Sequence, residues 1–366
     1  MEKKPRERWN LGTNGKHTQE VDLSKYIYSL EEANTIIGIG SGEPFENIRA
    51  KLLSEKVPFV DGSADYLEKR INPALTTPSV KSIIAIGVSY NKKLSNNFNA
   101  YNNFNSSRVN LSIGSIGVDY HKIVYQKLED IKRNIQDYTN NNNFICDIFV
   151  DTGPLVDREV GIRCGLGAIG KSGNLISPKL GSIINIGYML TDLKLKPSKL
   201  ITQDFCKDCS ACLKACPTKS IKHNYSFDYK TCISYLTQKK ELDMIECEVI
   251  KNNLYGCDIC QLVCPYNKET YCEEFNNPDD IDLFKPTVES ILGLSNKDFK
   301  MTYKNQACGW RGKKVLQRNA IIGLVNNANK NIINNLDALK ILNILEDDPR
   351  DDIQVYLEWA RGKFNK

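Results

Sequence analysis

The sequence has little of what marks membrane and exported proteins. No apolar run approaches the ~20 residues that a helix needs to cross a bilayer. The first residues, MEKKPRERWNLG, are charged and contain no apolar segment of the kind found in export signals. We therefore expect a cytoplasmic protein that does not enter a membrane.

The sequence also has a small net charge and few histidines. The formal net charge is only +5, which permits a nucleic-acid partner without requiring one. Histidine occurs three times in 366 residues, and a lone histidine such as His121 is more often structural than a ligand. The hydrophobic content of 41% and the charged content of 25% are typical of a folded protein, and the length allows two or three domains.

Cysteine, in contrast, is abundant, and eight of the thirteen cysteines stand in a regular pattern. The blocks C-x2-C-x2-C-x3-C-P and C-x2-C-x3-C-P follow one another, and Cys232 lies between them. This is the spacing of bacterial two-cluster ferredoxins, in which the last cysteine of a run ligates the other cluster. We assign one [4Fe–4S] cluster to Cys206, Cys209, Cys212 and Cys264, and a second to Cys216, Cys232, Cys257 and Cys260.

Zinc and disulfides explain the cysteines less well. A zinc site built from two C-x2-C pairs would leave the third cysteine of the first block and the Cys-Pro pairs without a role. An odd number of cysteines disfavours a disulfide framework. We expect the remaining five to be ordinary thiols: Cys146, Cys164, Cys247, Cys272 and Cys308.

The order of predicted elements divides the chain into three parts. Strands at 82–90, 144–151 and 181–193 alternate with a helix at 119–135, which predicts an α/β or α+β domain over residues 1–195. We interpret GIGSGEP before residue 45 as turns leading into a helix. The ferredoxin-like module occupies residues 196–275. Residues 276–366 predict helices, arranged as hairpins of the α-solenoid kind.

Two segments of the first domain are candidates for a site. Gly165–Gly170 matches G-x-G-x-x-G but lacks the preceding strand and following helix of a dinucleotide fold, so we interpret it as a loop that approaches a large ligand closely. Lys171 after it is either a phosphate contact or a solvated lysine. Asp151 follows a strand; burial near a cofactor would raise its pKa and make it a proton donor, whereas a turn-capping aspartate is the plain alternative.

A basic helix follows Trp310. Its spacing predicts that Lys314 and Arg318 share one face, which either grips phosphates or is simply solvated.

With these residues in view, the chain resembles the epoxyqueuosine reductase family of cobalamin- and iron–sulfur-dependent enzymes of tRNA modification. The matching segments span about residues 40 to 330 and include VDTGPLVDRE, GLGAIGKSGNLI, CKDCSACLKACPTKSI, CISYLTQKK and YGCDICQLVCPYN.

The resemblance implies a function and a set of site residues. Epoxyqueuosine at the wobble position of tRNA would be reduced to queuosine, with electrons passing from an external low-potential donor through both clusters to cobalamin. It implies Asp151 as proton donor, and an α-helical domain of HEAT-like hairpins that contacts a tRNA with a GUN anticodon. The implied cobalamin contacts are Arg70, Asp151, Leu175, Ile186, Ser234 and Asp258. The implied tRNA contacts are Lys240, Lys313, Lys314 and Arg318.

Two other functions stay open at this point. One is a corrinoid and iron–sulfur reductase of a small molecule, similar to reductive dehalogenases. The other is a two-cluster electron carrier without catalysis, although a carrier has no need of the long segment before the clusters. We expect a monomer in each case.

Overall fold

The computed structural model describes residues 22–54, 64–94, 107–277 and 280–364. The N-terminal segment on which the export question depends lies outside the described residues. Within the described ranges, no helix is both long and apolar enough to cross a membrane.

The strands and helices alternate through the first half, and helices dominate the last third. The strands are β1 (Thr35–Ser41), β2 (Ser82–Ser89), β3 (Lys92–Leu94), β4 (Asn110–Leu111), β5 (Cys146–Val150), β6 (Ala168–Ile169), β7 (Leu175–Ile176), β8 (Ile184–Thr191), β9 (Asn253–Tyr255) and β10 (Glu273–Phe275). The helices are α1 (Leu23–Tyr28), α2 (Arg49–Ser54), α3 (Ala64–Ile71), α4 (Tyr120–Thr139), α5 (Asp157–Arg163), α6 (Ala211–Ala215), α7 (Ile233–Leu236), α8 (Met244–Ile250), α9 (Ile259–Leu262), α10 (Ile281–Phe284), α11 (Val288–Leu292), α12 (Asn296–Thr302), α13 (Lys313–Asn329), α14 (Asn335–Leu342) and α15 (Asp351–Phe364).

A four-stranded sheet of order β1-β2-β8-β5 organises the first part of the chain, and every neighbouring pair in it is antiparallel. The fold is therefore α+β rather than parallel α/β. Helix α4 packs its buried residues on one face with Ile84 and Ile86, whereas α5 packs on the other with Ile83 and Ala85. Because both faces are covered, β2 is buried along its whole length and has an almost continuous apolar sequence.

Strand β1 corrects the interpretation of GIGSGEP as turns. Its glycines are needed for close packing: a Cβ on Gly38 would collide with the carbonyl of Cys164, and one on Gly40 would lie 2.8 Å from the Cys164 sulfur. The end of α5 thus approaches β1 too closely for any side chain. The expected helix begins later, at Arg49, after one turn of 3-10 helix at Glu46–Ile48.

The cluster module is joined to both neighbouring segments. Strand β3 pairs with β10 and β4 pairs with β9, each in parallel. One hydrophobic core contains Val109 and Leu111, Leu254 of β9 and the buried face of α13. The helical segment therefore shares its core with the cluster module. The three-domain division and the HEAT-like hairpins stay predictions.

Helix α13 is the centre of that core, and it corrects the expectation for Arg318. Arg318 is only 1% exposed, and its guanidinium donates to the carbonyls of Lys239 at 2.7 Å, Lys240 at 3.0 Å and Thr237 at 3.4 Å. The prediction that it shares an exposed face with Lys314 is wrong. Helical spacing places two residues on one side of a helix, but the packing around α13 decides which part of that side is solvated.

We expect Arg318→Leu to lower the free energy of unfolding by roughly 3 kcal/mol or more, because several buried carbonyls lose their donor. The exposed ion pair of Lys314 with Asp352 offers a matched control, and Lys314→Leu should cost at most about 1 kcal/mol. Denaturant unfolding of the iron-loaded protein without air measures both. Equal unfolding midpoints for the two variants would show that Arg318 has no structural role.

Candidate active site and cluster module

A cavity of about 340 Å³ lies at the sheet edge where β2 and β5 end and β8 begins. Three of the expected cofactor contacts line it together with Asp151: Arg70, Leu175 and Ile186. Other lining residues are Tyr90, Tyr120, Asp157, Arg158, Asn174 and Gln261. The sequence predicted a site at the end of the strand before Asp151, because sites in parallel sheets lie at the carboxyl ends of the strands. The sheet is antiparallel, so the start of β8 lies at the same edge as the ends of β2 and β5.

Asp151 belongs to a chain of three charged side chains. Its backbone is in the left-handed region, with φ 55°. Its Oδ2 lies 3.5 Å from Nε2 of His121, and Nδ1 of His121 lies 2.8 Å from Oδ1 of Asp119. The Asp119 carboxylate also accepts from the backbone N–H of His121 at 3.0 Å and so caps α4. Helix α4 therefore fixes the imidazole between two carboxylates.

The sequence led us to expect a raised pKa for Asp151, and this expectation is wrong. The hydrogen bond from His121 lowers the pKa of Asp151 and outweighs the opposing effect of burial. The same bond, with that of Asp119, raises the pKa of His121 to about 9. At neutral pH the proton therefore resides on His121 and Asp151 is ionised. Sequence reasoning missed His121 because its partner Asp151 is thirty positions away, and only the DYH triplet at a helix start marked it.

Asp157 is a second acid of the cavity that sequence reasoning missed. Its Oδ1 is buried and has no hydrogen-bond partner among the described residues. Burial, and then the charge of Asp151, raise the pKa of Asp157 to about 8. The carboxyl group is therefore largely protonated at neutral pH. Its position as the first residue of α5 in the VDRE segment was the available signal.

Two expected cofactor contacts do not line this cavity. The carboxylate of Asp258 accepts from the Ser112 hydroxyl at 2.6 Å and from the Ile113 N–H at 2.8 Å, and so holds the 112–115 turn against the cluster module. Ser234 lies in α7, two residues after Cys232, and its carbonyl accepts from Thr237 and Gln238. Their contact with a cofactor stays a prediction.

The glycine-rich loop approaches the cluster ligands. A helix precedes it, and its own residues Ala168–Ile169 form β6, which pairs with β7, so it is not a dinucleotide loop. A Cβ on Gly170 would lie 3.3 Å from the Cys206 sulfur, and the Lys171 N–H points at that sulfur from 3.3 Å. The Lys171 ammonium donates to the carbonyls of Lys207 at 2.5 Å and Cys209 at 3.1 Å. Lys171 therefore binds the backbone of the loop that carries Cys206 and Cys209.

The eight patterned cysteines lie near one another, and the cluster that each of them ligates stays a prediction. All thirteen are free thiols, without a disulfide. Five of them line one small cavity: Cys206, Cys209, Cys212, Cys260 and Cys264. Cys257 and Cys260 lie within electrostatic range of Cys216 and Cys232. Among the described residues, no group of three or more histidine, cysteine or acidic side chains is arranged around a single metal ion. The 5-residue helix α6 carries Cys212, and α9 carries Cys260.

The expected tRNA contacts do not line the cavity that contains Asp151. Lys240 is exposed. Lys314 is paired with Asp352, and Lys313 donates to the carbonyl of Leu294 at 3.1 Å. Arg318 is buried, as described above.

Comparisons with known proteins give a consistent family. The model of "Epoxyqueuosine reductase QueG, DUF1730" matches residues 70–152, and that of a "4Fe-4S double cluster binding domain" matches residues 205–267. The epoxyqueuosine reductase of Bacillus cereus is 36% identical over 90% of this chain and 85% of its own length. That of Staphylococcus aureus is 34% identical over 94% of this chain and 88% of its own.

Solved structures agree. The epoxyqueuosine reductase of Streptococcus thermophilus has a TM-score of 0.80 and 33% identity, over 93% of this chain and 88% of its own. An epoxyqueuosine reductase in complex with an epoxyqueuosine-modified tRNA-Tyr stem loop has a TM-score of 0.81 and 31% identity, over 93% of this chain and 89% of its own. Since relatives more than 30% identical cover nine-tenths of it, this chain, with its double [4Fe–4S] module, belongs to the epoxyqueuosine reductase family.

Proposed function

We propose that this protein reduces epoxyqueuosine to queuosine at the wobble position of tRNA with a GUN anticodon. The observation that carries the proposal is the Asp119–His121–Asp151 chain, which opens on a cavity joined to a two-cluster module by the Gly170–Lys171 contact. The relative solved with a modified tRNA stem loop supports the choice of substrate. Such a substrate places the reaction in the cytoplasm.

The residues of the cavity fit a corrinoid. Leu175 and Ile186 offer apolar surface, and Arg70 and Asp157 offer polar groups. The buried Oδ1 of Asp157 has no partner in the described chain, and the amide groups around a corrin ring are donors that would satisfy it. When bound, cobalamin would supply the low-valent cobalt needed to break the epoxide carbon–oxygen bond, which the protein's side chains cannot do.

The side chains supply protons to the departing oxygen. Removing an epoxide oxygen as water consumes two electrons and two protons. We propose that Asp151 transfers a proton received from His121, whose ring is fixed by Asp119. Tyr120 assists by its hydrogen bond to Asp151, and burial raises the pKa of the tyrosine so that it stays neutral. Asp151 is thus the catalytic acid only together with His121.

A monomer is sufficient for this arrangement, since one chain holds the cavity and both sets of cluster ligands. Lys240, Lys313 and Lys314 would neutralise phosphates of the tRNA around the anticodon stem. A low-potential donor would supply the electrons one at a time, as [4Fe–4S] clusters require.

We expect Asp151→Asn to lower turnover by about 10² to 10⁴-fold, because the amide cannot pass on a proton. Anaerobic conversion of epoxyqueuosine-containing tRNA measures the loss, while iron content and corrinoid titration show that the cofactors remain bound. Asp137→Asn, at an exposed position of α4, is the control and should keep full activity. Undiminished turnover of Asp151→Asn would remove the role.

The pH dependence tests His121. Because the raised pKa keeps His121 protonated below about 9, kcat/KM of the wild type should fall as the pH rises through that value. His121→Gln should be slower at neutral pH and show no such fall. Asp157→Asn removes the other group that titrates nearby, and this variant should still show the fall of kcat/KM with rising pH. A fall that persists in His121→Gln would assign the proton to another group.

Salt dependence tests the tRNA contacts. Lys240→Ala and Lys314→Ala should each weaken tRNA binding and reduce the slope of log K against log salt by about 1. Filter binding with unmodified tRNA across salt concentrations gives the slope. Lys330→Ala, an exposed lysine at the far end of α13, should leave it unchanged. Identical slopes in all three variants would place the RNA elsewhere.

A further inference from the structure

The net charge of the protein is concentrated beside the cluster ligands. Residues 194–231 contain eight lysines and three aspartates, a balance of +5 that equals the net charge of the whole chain. All eight lysines are exposed: Lys194, Lys196, Lys199, Lys207, Lys214, Lys219, Lys222 and Lys230. The proposed tRNA contacts do not include any of them.

Among the residues that the structure describes, none of these lysines has an acidic partner, whereas several lysines elsewhere in the chain do. Lys127, Lys179 and Lys363 each pair with a glutamate at 2.7 to 2.9 Å. Across the described ranges, none of the eight forms an ion pair within 4.0 Å. Their charge is therefore not neutralised locally and extends into solvent over about a Debye length.

An apolar spot lies among them. Leu262 is 61% exposed and Val263 is 38% exposed, and both stand between the ligands Cys260 and Cys264. Helix α9, which ends at Leu262, contacts α6, whose Lys214 stands between the ligands Cys212 and Cys216. Lys207 stands between Cys206 and Cys209. We call Leu262, Val263, Lys207, Lys214 and Lys219 the cluster-side patch.

We infer that the cluster-side patch docks an acidic one-electron carrier protein, with a flavin or iron–sulfur centre, that feeds the cluster of Cys206, Cys209, Cys212 and Cys264. In each encounter the carrier is oxidised by one electron and the cluster is reduced by one, so two encounters serve one epoxide. This inference rests on the proposed function only for the destination of the electrons.

The chemistry of the patch suits such a partner better than RNA. Unpaired lysines attract an acidic protein over a distance and raise its association rate. Exposed Leu262 and Val263, between the ligands Cys260 and Cys264, give a dry contact beside the cluster ligands, as in the apolar centre of a protein interface. A phosphate backbone would use the lysines but would leave the apolar pair uncovered.

The test compares two triple variants with the same change of charge. Lys207→Glu, Lys214→Glu and Lys219→Glu alter the patch, whereas Lys297→Glu, Lys300→Glu and Lys330→Glu alter exposed lysines of the helical segment. Reduction of the clusters is followed by the loss of their visible absorbance after mixing with a fully reduced flavodoxin. This readout needs neither tRNA nor corrinoid.

We expect the patch variant to be reduced at least 10-fold more slowly at low salt, with the difference shrinking at high salt, and the helical variant to match the wild type within about twofold. Photoreduced deazariboflavin, which is small and uncharged, should reduce all three proteins equally. Equal rates with flavodoxin, or equal losses in both variants, would overturn the inference. Weaker tRNA binding with unchanged flavodoxin rates would make the patch an RNA surface instead.

Conversion of epoxyqueuosine-containing tRNA with deazariboflavin as reductant separates the two ideas. Failure of the wild type there counts against the proposed function and leaves the flavodoxin result valid. Turnover there, without any patch dependence of the flavodoxin rate, counts against the carrier surface alone.

Discussion

The contact between the Gly170–Lys171 backbone and the Cys206 sulfur is the constraint on which the rest of the structure depends. A Cβ at position 170 would lie only 3.3 Å from that sulfur, and the ammonium of Lys171 binds the carbonyls of Lys207 and Cys209. Within a few residues the same segment provides Asn174 and Leu175 to the cavity wall. A short stretch of backbone thus keeps the iron–sulfur ligands and the reaction cavity at a fixed separation, which electron transfer needs.

The cavity combines a carboxylate at the end of a strand with side chains that a helix holds in place. Asp151 follows a strand in a left-handed conformation that few residues other than glycine, asparagine and aspartate adopt readily. His121 and Asp119, in contrast, belong to a 20-residue helix packed along the sheet. The helix therefore fixes the position at which the imidazole meets the Asp151 carboxylate.

Sequence reasoning succeeded where the chemistry is local and failed where it depends on packing. Ligand spacing around an iron–sulfur cluster is a property of a short peptide, so the double [4Fe–4S] module could be recognised, whereas the ligands of each cluster stay a prediction. The strand β1 was missed because Gly38 and Gly40 look like turn residues until the end of α5 is placed against them. Arg318 was misplaced because periodicity does not reveal what covers a helix. The pKa of Asp151 went in the opposite direction because His121, thirty positions earlier, could not be paired with it from the sequence.

The double role of Asp119 limits how this site can change by mutation. One of its oxygens both caps α4 and accepts from the imidazole. Replacing it would alter the basicity of His121 and would also cost the helix about 1 kcal/mol of capping energy. A substitution at this position is therefore penalised twice, once in the chemistry of the site and once in the stability of the helix that carries it.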